Sequence, residues 1–414
     1  MSPDSQLPRV LKVWGVQAAR ISDTGPLIQR LKQDGPLSVI LSAPNTDQFR
    51  TTNVLIEAAA TLVAWDVQKS KELLLSVQDF VLNTVCLPLH GDAIFTKMRR
   101  DILELFQKYF TEIDFYARER SPTARLYTSA PDESNDFVAS VWKKPAHSSR
   151  GGYGKLQAAI PFIELGENIS AIIYAHLTRG ISVMSRSWMR EEIGTVHQRV
   201  RDSHNLLISW ALRMSPRDKM LVRFWRGYTD ANAWRLAVGA KAELLIHKEY
   251  PVCTADPRIV NGSSKPIPEA SMATLRASLH PLIGAQFLNQ HVFADGEPVD
   301  IQVGDFASGR ITQVSRRNIP EASPLIQKGP RAQRDSGGIG FWDIPLSVNS
   351  SGNECLVSVI DHSPRSHQRI WDMERILWKN ALIHPLNERI TSVLVLYDRA
   401  DDVVRQLHQS MCEA

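Results

Sequence analysis

Three runs of this sequence hold residue types that could meet a phosphate or a carboxylate. Lys12 sits within an apolar run, Val10–Trp14, where a lysine is either a cation kept for a bound anion or a side chain snorkelling at a strand end. Arg150-Gly151-Gly152-Tyr153-Gly154-Lys155 has the look of a phosphate loop, but it lacks the Gly-x-x-x-x-Gly-Lys-Ser/Thr spacing and follows no clear strand, so it reads as a flexible hinge. In Thr254-Ala255-Asp256-Pro257-Arg258 an arginine lies two residues from an aspartate, which suits a phosphate contact or a local salt bridge equally. Cys86, Cys253, Cys355 and Cys412 are far apart and show no Cys-x-x-Cys spacing, so neither a zinc site nor a disulfide framework is indicated and no metal ligand is assigned.

The elements around these runs alternate between strand and helix. Val10–Trp14 reads as a strand, Gly15 as a turn, Gly25–Gln33 as an amphipathic helix and Leu37–Leu41 as a buried strand. Ser42–Arg50 is a polar loop, and the threonines at 51 and 52 suit the cap of a helix over Val54–Val63. Asp66 to about Ala117 reads as a helical insertion, broken near Leu87-Pro88 and His90-Gly91, and Arg118–Tyr153 as a long loop. A regular pattern resumes at Ile160–Leu177, with strands expected near Leu206–Leu212, Glu243–His247 and Val299–Val303. After a linker over residues 316–336 come a strand at Cys355–Ile360, a helix at His367–Leu382, a strand at Thr391–Tyr397 and a helix at Ala400–Ser410. Trp188, Trp210, Trp225 and Trp234 are read as core or subunit contact. The whole implies a layered α/β unit followed by a smaller α+β one.

Composition narrows the function classes. With 414 residues, 43% of them hydrophobic and 22% charged, the chain can bury a sizeable core and fits two domains. A formal charge of +4 is small and dispersed, so nucleic acid is not an expected partner. The densest basic cluster, Arg310, Arg316, Arg317, Lys328, Arg331 and Arg334, reads as a solvated linker. Met1–Arg9 carries no signal-peptide pattern and no apolar run approaches bilayer length, so the expectation is a cytoplasmic protein with no membrane partner.

Several segments, taken in order, resemble the aspartokinases. Lys12-Val13-Trp14-Gly15-Val16-Gln17 stands where that family has Lys-Phe-Gly-Gly-Thr-Ser. Ser42-Ala43, then Thr52-Asn53, match a strand ending in Ser-Ala and the Thr-Asn that opens a helix. Leu165-Gly166-Glu167-Asn168-Ile169-Ser170-Ala171 is similar to a Gly-Glu-Arg-Leu-Ser-Ala helix start, and Trp225-Arg226-Gly227-Tyr228-Thr229-Asp230 to a Gly-Arg-Gly-Gly-Ser-Asp turn. Thr254-Ala255-Asp256-Pro257-Arg258 reproduces the family's Thr-Ala-Asp-Pro-Arg, with Cys253 in place of the preceding tyrosine, and Leu279-His280-Pro281 matches the Leu-His-Pro that follows. Immediately before, His247-Lys248-Glu249-Tyr250-Pro251 replaces the Thr-Asp-Val-Asp-Gly that supports the nucleotide.

The resemblance implies a three-layer α/β amino-acid-kinase fold over residues 1–315, the linker 316–336, and an ACT-like α+β regulatory or dimerisation domain over 337–414. It implies ATP-dependent phosphorylation of the side-chain carboxylate of aspartate or a close analogue, with ATP and Mg as cofactors. On it, Lys12 and Asp230 are catalytic; Ser42, Thr52, Glu167, Arg226 and Thr229 bind the amino acid, with Glu167 meeting the ammonium and Arg226 the α-carboxylate; Gly15 and Arg258 meet the nucleotide. A homodimer through the ACT-like region is expected. Against these stand Trp14 and Tyr228 where the family has glycine, and Val16-Gln17 where it has Thr-Ser, because glycine lets backbone N–H groups approach phosphates without a Cβ in the way. The alternatives are therefore a catalytically inactive pseudokinase that binds an amino acid or a partner subunit, or a repurposed enzyme of secondary metabolism.

Overall fold

Apolar runs without polar alternation make strands buried on both faces, the mark of parallel sheets, and Val10–Val13 and Leu37–Leu41 are buried throughout. The computed structural model describes residues 7–63, 66–118, 151–178, 182–184, 193–202, 205–208, 228–278, 296–317, 324–328, 354–361, 366–377 and 383–413. The chain divides into two compact units, 1–222 and 223–414.

In the first unit β1 (Arg9–Val13) is followed by α1 (Gly15–Ala19), α2 (Ile21–Gln33) and β2 (Leu37–Leu41). β1 and β2 pair in parallel, with Arg9 opposite Leu37 and Val13 opposite Leu41, so both strands end at one level. Then come α3 (Thr51–Val63) and α4 (Val67–Phe80), the latter capped by Asp66, whose carboxylate accepts from Lys69 N–H at 3.0 Å. A π-turn over Val81–Val85 and a short 3-10 turn at Leu87–Leu89 lead to Gly91, which takes φ +91°, and α5 (Ala93–Arg118). The unit continues with α6 (Gly151–Leu177), β3 (Ser182–Met184), α7 (Ile193–Arg201) and β4 (Leu206–Ile208). β4 joins β2 and β3 joins β4, all in parallel, giving the order β3-β4-β2-β1.

The second unit opens with α8 (Tyr228–Ala240), β5 (Glu243–His247), β6 (Glu269–Ser271), α9 (Met272–Ser278), β7 (Ile301–Asp305) and β8 (Arg310–Ser315). Here β5 and β7 pair in parallel, as do β6 and β8, and β7 and β8 form an antiparallel hairpin. A second, antiparallel sheet follows in the order β11-β12-β10-β9, from β9 (Leu325–Lys328), β10 (Glu354–Ile360), β11 (Ile383–Asn387) and β12 (Ile390–Leu396). α10 (Ser366–Leu377) and α11 (Ala400–Cys412) supply Met373, Leu377, Val404 and Leu407 to one core with Val357, Val359 and Val393 of that sheet.

Four expectations change. Gly151–Lys155 is the start of α6 rather than a hinge, and Gly151–Tyr153 is therefore helix rather than loop; residues 119–150 lie outside the described set. Leu325–Lys328, read as linker, pairs with β10 as β9. Arg310 and Lys328, read with that linker, lie on strands β8 and β9; Arg310 pairs with Asp305 at 3.6 Å, and Lys328 with Asp401 at 2.8 Å. Arg331 and Arg334 fall outside the described residues, as do Trp188, Trp210 and Trp225, whereas Trp234 is fully buried with its indole N–H on Gly296 O at 2.8 Å.

Candidate functional site

In open parallel sheets, ligand chemistry gathers outside the carboxyl ends of the strands. Lys12 is the fourth residue of β1, and Ser42 directly follows β2 at the same level. The lysine is 1% exposed, and burying an ammonium requires close acceptors. Lys12 Nζ donates to Ser42 Oγ at 2.6 Å and to Val13 O at 3.0 Å. Ser42 in turn accepts at its carbonyl from Ser170 Oγ at 2.7 Å. Ser170 lies one helical turn beyond Glu167 on α6, so both belong to one face of that helix, and Glu167 is itself buried. A cation, two hydroxyls and a carboxylate are thus carried by the ends of β1 and β2 and the face of α6.

Two glycines explain how these pieces come so close. A Cβ on Gly166 would lie 2.6 Å from Ala43 Cβ, and one on Gly15 would lie 2.6 Å from Ala43 O. Asn45 N–H donates to Gly15 O at 2.8 Å, joining the loop after β2 to the start of α1. The smallness of Gly15 is therefore taken up by the loop itself. Thr52, half-buried in the first turn of α3, has one of the backbone N–H groups that a helix start leaves for an anion. Its neighbour Thr51 is the buried threonine, and its hydroxyl donates to Pro44 O. Glu167 sits in the middle of the 27-residue α6, not at a helix start, so no helix dipole assists it.

On the second unit, Thr229 and Asp230 are buried in the first turn of α8. Asn232 is fully buried there too, and its side-chain amide has no hydrogen-bond partner among the described residues. Lys248 follows β5 directly; burial pushes its amine down to about 7, with Asp230 opposing that shift and Arg258 adding to it. Arg258 grips Asp256 with a bidentate fork, 3.0 Å from Nε to Oδ1 and 2.7 Å from the terminal nitrogen to Oδ2, while its outer edge stays exposed. Burial works against the Asp256 carboxylate, but the hydrogen bonds and charge of Arg258 outweigh it and hold it below the ordinary carboxylate range. Arg226 and Leu279-His280-Pro281 lie outside the described residues, and the side chain of Tyr228 does too.

Sequence reasoning missed Ser170, Thr51 and Asn232. Ser170 had a signal, its three-residue spacing from Glu167; the others had none, because only packing distinguishes Thr51 from Thr52. Among the described residues no group of three His, Cys, Asp or Glu side chains is placed to hold a metal ion. Magnesium in nucleotide sites is held by one or two carboxylates plus the phosphates themselves, and the buried Asp230 fits such a role.

No family model matches the chain, and no curated protein sequence matches it. Solved structures do. E. coli aspartokinase III in complex with aspartate and ADP superposes with a TM-score of 0.60 at 14% identity, over 97% of this chain and 99% of that one. The same enzyme with lysine and aspartate gives 0.56 at 14% identity, over 98% and 99%. Clostridium acetobutylicum aspartate kinase gives 0.55 at 12% identity, over 98% and 100%. With matches of that extent and a parallel-dominated α/β architecture, the chain has the amino-acid-kinase fold of the aspartokinases.

Proposed function

We propose that this protein is an aspartokinase-like phosphotransferase that uses ATP to phosphorylate the side-chain carboxylate of aspartate or a close analogue. The observation that carries the reading is Lys12: a buried ammonium held 2.6 Å from Ser42 Oγ at the carboxyl end of a parallel strand. Acyl-phosphate formation asks little covalent help of a protein. A carboxylate oxygen bonds to the γ-phosphorus, the bond from that phosphorus to the β,γ-bridging oxygen breaks, and ADP leaves with the electron pair; no proton moves. What is required is fixed positive charge and oriented donors. Lys12 supplies charge for the phosphates and Glu167 takes the substrate ammonium, with Ser42 and Thr52 donating beside it. By resemblance, Arg226 and Thr229 bind the amino acid, Asp230 is catalytic and Arg258 meets the nucleotide. The domain assignment follows the same reading: a kinase-like domain over 1–315 and an ACT-like one over 337–414, through which two copies pair.

One observation favours a second reading, a pseudokinase that binds an amino acid without turnover. Asn45 and Ala43 fill the space beside Gly15, and Trp14 and Val16 flank it, which leaves little room there for a phosphate to approach the backbone. Calorimetric titration with Mg-ATP, with and without saturating aspartate, separates the two. Binding that vanishes in Lys12→Ala, together with a hydroxamate formed from aspartate under hydroxylamine, supports the kinase. Aspartate binding with no nucleotide binding rejects it.

A further inference from the structure

Thr254 and His408 meet in a buried chain of hydrogen bonds that none of these roles uses. Thr254 Oγ1 is 2.8 Å from His408 Nε2, and His408 Nδ1 is 3.0 Å from Glu413 Oε1. Both Thr254 and His408 are shut off from solvent, at 1% and 0% exposure. The direction of the bond to Glu413 follows from what each group can offer. The Glu413 carboxyl is held below its usual range, by Ser263 first and by His408 against the cost of burial, so it accepts and His408 Nδ1–H donates. Nε2, the other ring nitrogen, is paired with the Thr254 hydroxyl, whose oxygen receives the Lys265 backbone N–H at 3.0 Å. A threonine this deeply buried is out of reach of a substrate, so the chain holds rather than reacts.

What it holds is the loop that carries Arg258. Lys265 Nζ donates to Cys412 O at 2.7 Å and Arg405 Nε donates to Ile259 O at 2.8 Å, both beyond Arg258, so with His408 on Thr254 ahead of it α11 holds that loop on both sides of Arg258. Ala255 and Val260 enter the same apolar core as Val404, Leu407 and Cys412. The segment most like a nucleotide-contacting run is therefore built onto the C-terminal helix. We infer that His408 is a positioning residue: through Thr254 it fixes the loop presenting Arg258 and thereby sets the affinity for the phosphates of a nucleotide. The inference rests on the kinase reading given above for Arg258.

Calorimetry of the full chain with Mg-ATP and, separately, with aspartate tests it on His408→Ala, Thr254→Val and Thr254→Ser. The dissociation constant for Mg-ATP is expected to rise about tenfold in His408→Ala and Thr254→Val, the worth of one buried hydrogen bond. Thr254→Ser keeps the hydroxyl and should bind like wild type, and aspartate affinity should hold in all three. An unchanged Mg-ATP affinity in His408→Ala, or equal losses for both ligands, overturns the inference. His408→Gln, which retains a polar atom toward Thr254, takes the place of His408→Ala if that variant does not fold. Should the wild type bind no Mg-ATP, the kinase reading fails by itself and amide exchange decides the positioning: faster exchange confined to residues 254–260 in the His408 variant upholds it, and unchanged exchange there sinks it.

Discussion

A volume-keeping change at a fully buried lysine removes the cost of desolvating the charge together with its bonds to Ser42 and Val13, so the two effects offset in part. Lys12→Met is accordingly expected to unfold within a few degrees of wild type while losing Mg-ATP affinity by roughly 10- to 100-fold, the range for a hydrogen bond to a charged group. Thermal unfolding and calorimetry on one preparation check both, and an unaltered affinity would remove Lys12 from the site. Lys248 makes a separate prediction through its amine, which burial pushes down to about 7. The unfolded chain keeps that lysine protonated up to its ordinary value, near 10.4, so between about pH 7 and that value the unfolded state binds more protons and stability rises with pH. Denaturant midpoints measured from pH 7 to 9.5 should climb in the wild type and climb less in Lys248→Met; equal slopes would mean that Lys248 titrates normally. At this scale Lys12 was legible because an ammonium inside an apolar run needs a reason, whereas the division of labour between Thr51 and Thr52 was not, since one hydroxyl is consumed by a carbonyl only the folded loop brings near.

Elements meet here through contacts too close for a side chain. A Cβ at position 166 would sit 2.6 Å from that of Ala43, so Gly166→Ala must push α6 from the loop after β2 and is expected to cost about 1–3 kcal/mol, as overpacking does. Ala43→Gly clears the obstruction, and the double variant should recover most of the loss; a double variant as unstable as Gly166→Ala would show that α6 lies elsewhere. Long buried strands and helices were readable, β5 to the residue, because several turns or pleats of apolar pattern accumulate over them. β3 and β6 were not, since three residues carry no period. β8 was hidden because its two large apolar residues, Ile311 and Val314, fall on opposite faces and Arg310 was counted in the basic cluster, and β11 was hidden by Pro385, beside which its pairing with β12 shifts register.

For the whole molecule, the order of motifs along the chain conveyed the fold when single motifs were eroded, since Lys12 and Ser42 mark strand ends, Glu167 a helix face and Asp230 a helix start, in that order. The expected pairing of two copies also belongs here. Trp371 stands 74% exposed on α10, an unusual place for the largest side chain. Sedimentation equilibrium should find a dimer for the wild type and a weaker one for Trp371→Glu; a monomeric wild type would dismiss the pairing. The parallel order of the first sheet bears finally on how the chain reaches its fold. Leu37 N–H is met by Asn205 Oδ1, 168 residues further on, and β2 pairs there with β4. At ribosomal rates of about 5–20 residues per second, the edge of β2 waits on the order of ten to thirty seconds for its neighbour to be synthesised. Until then β2 presents an unpaired apolar edge open to mispairing, and loop closure of this span makes the β2–β4 pairing a late and slow event in folding.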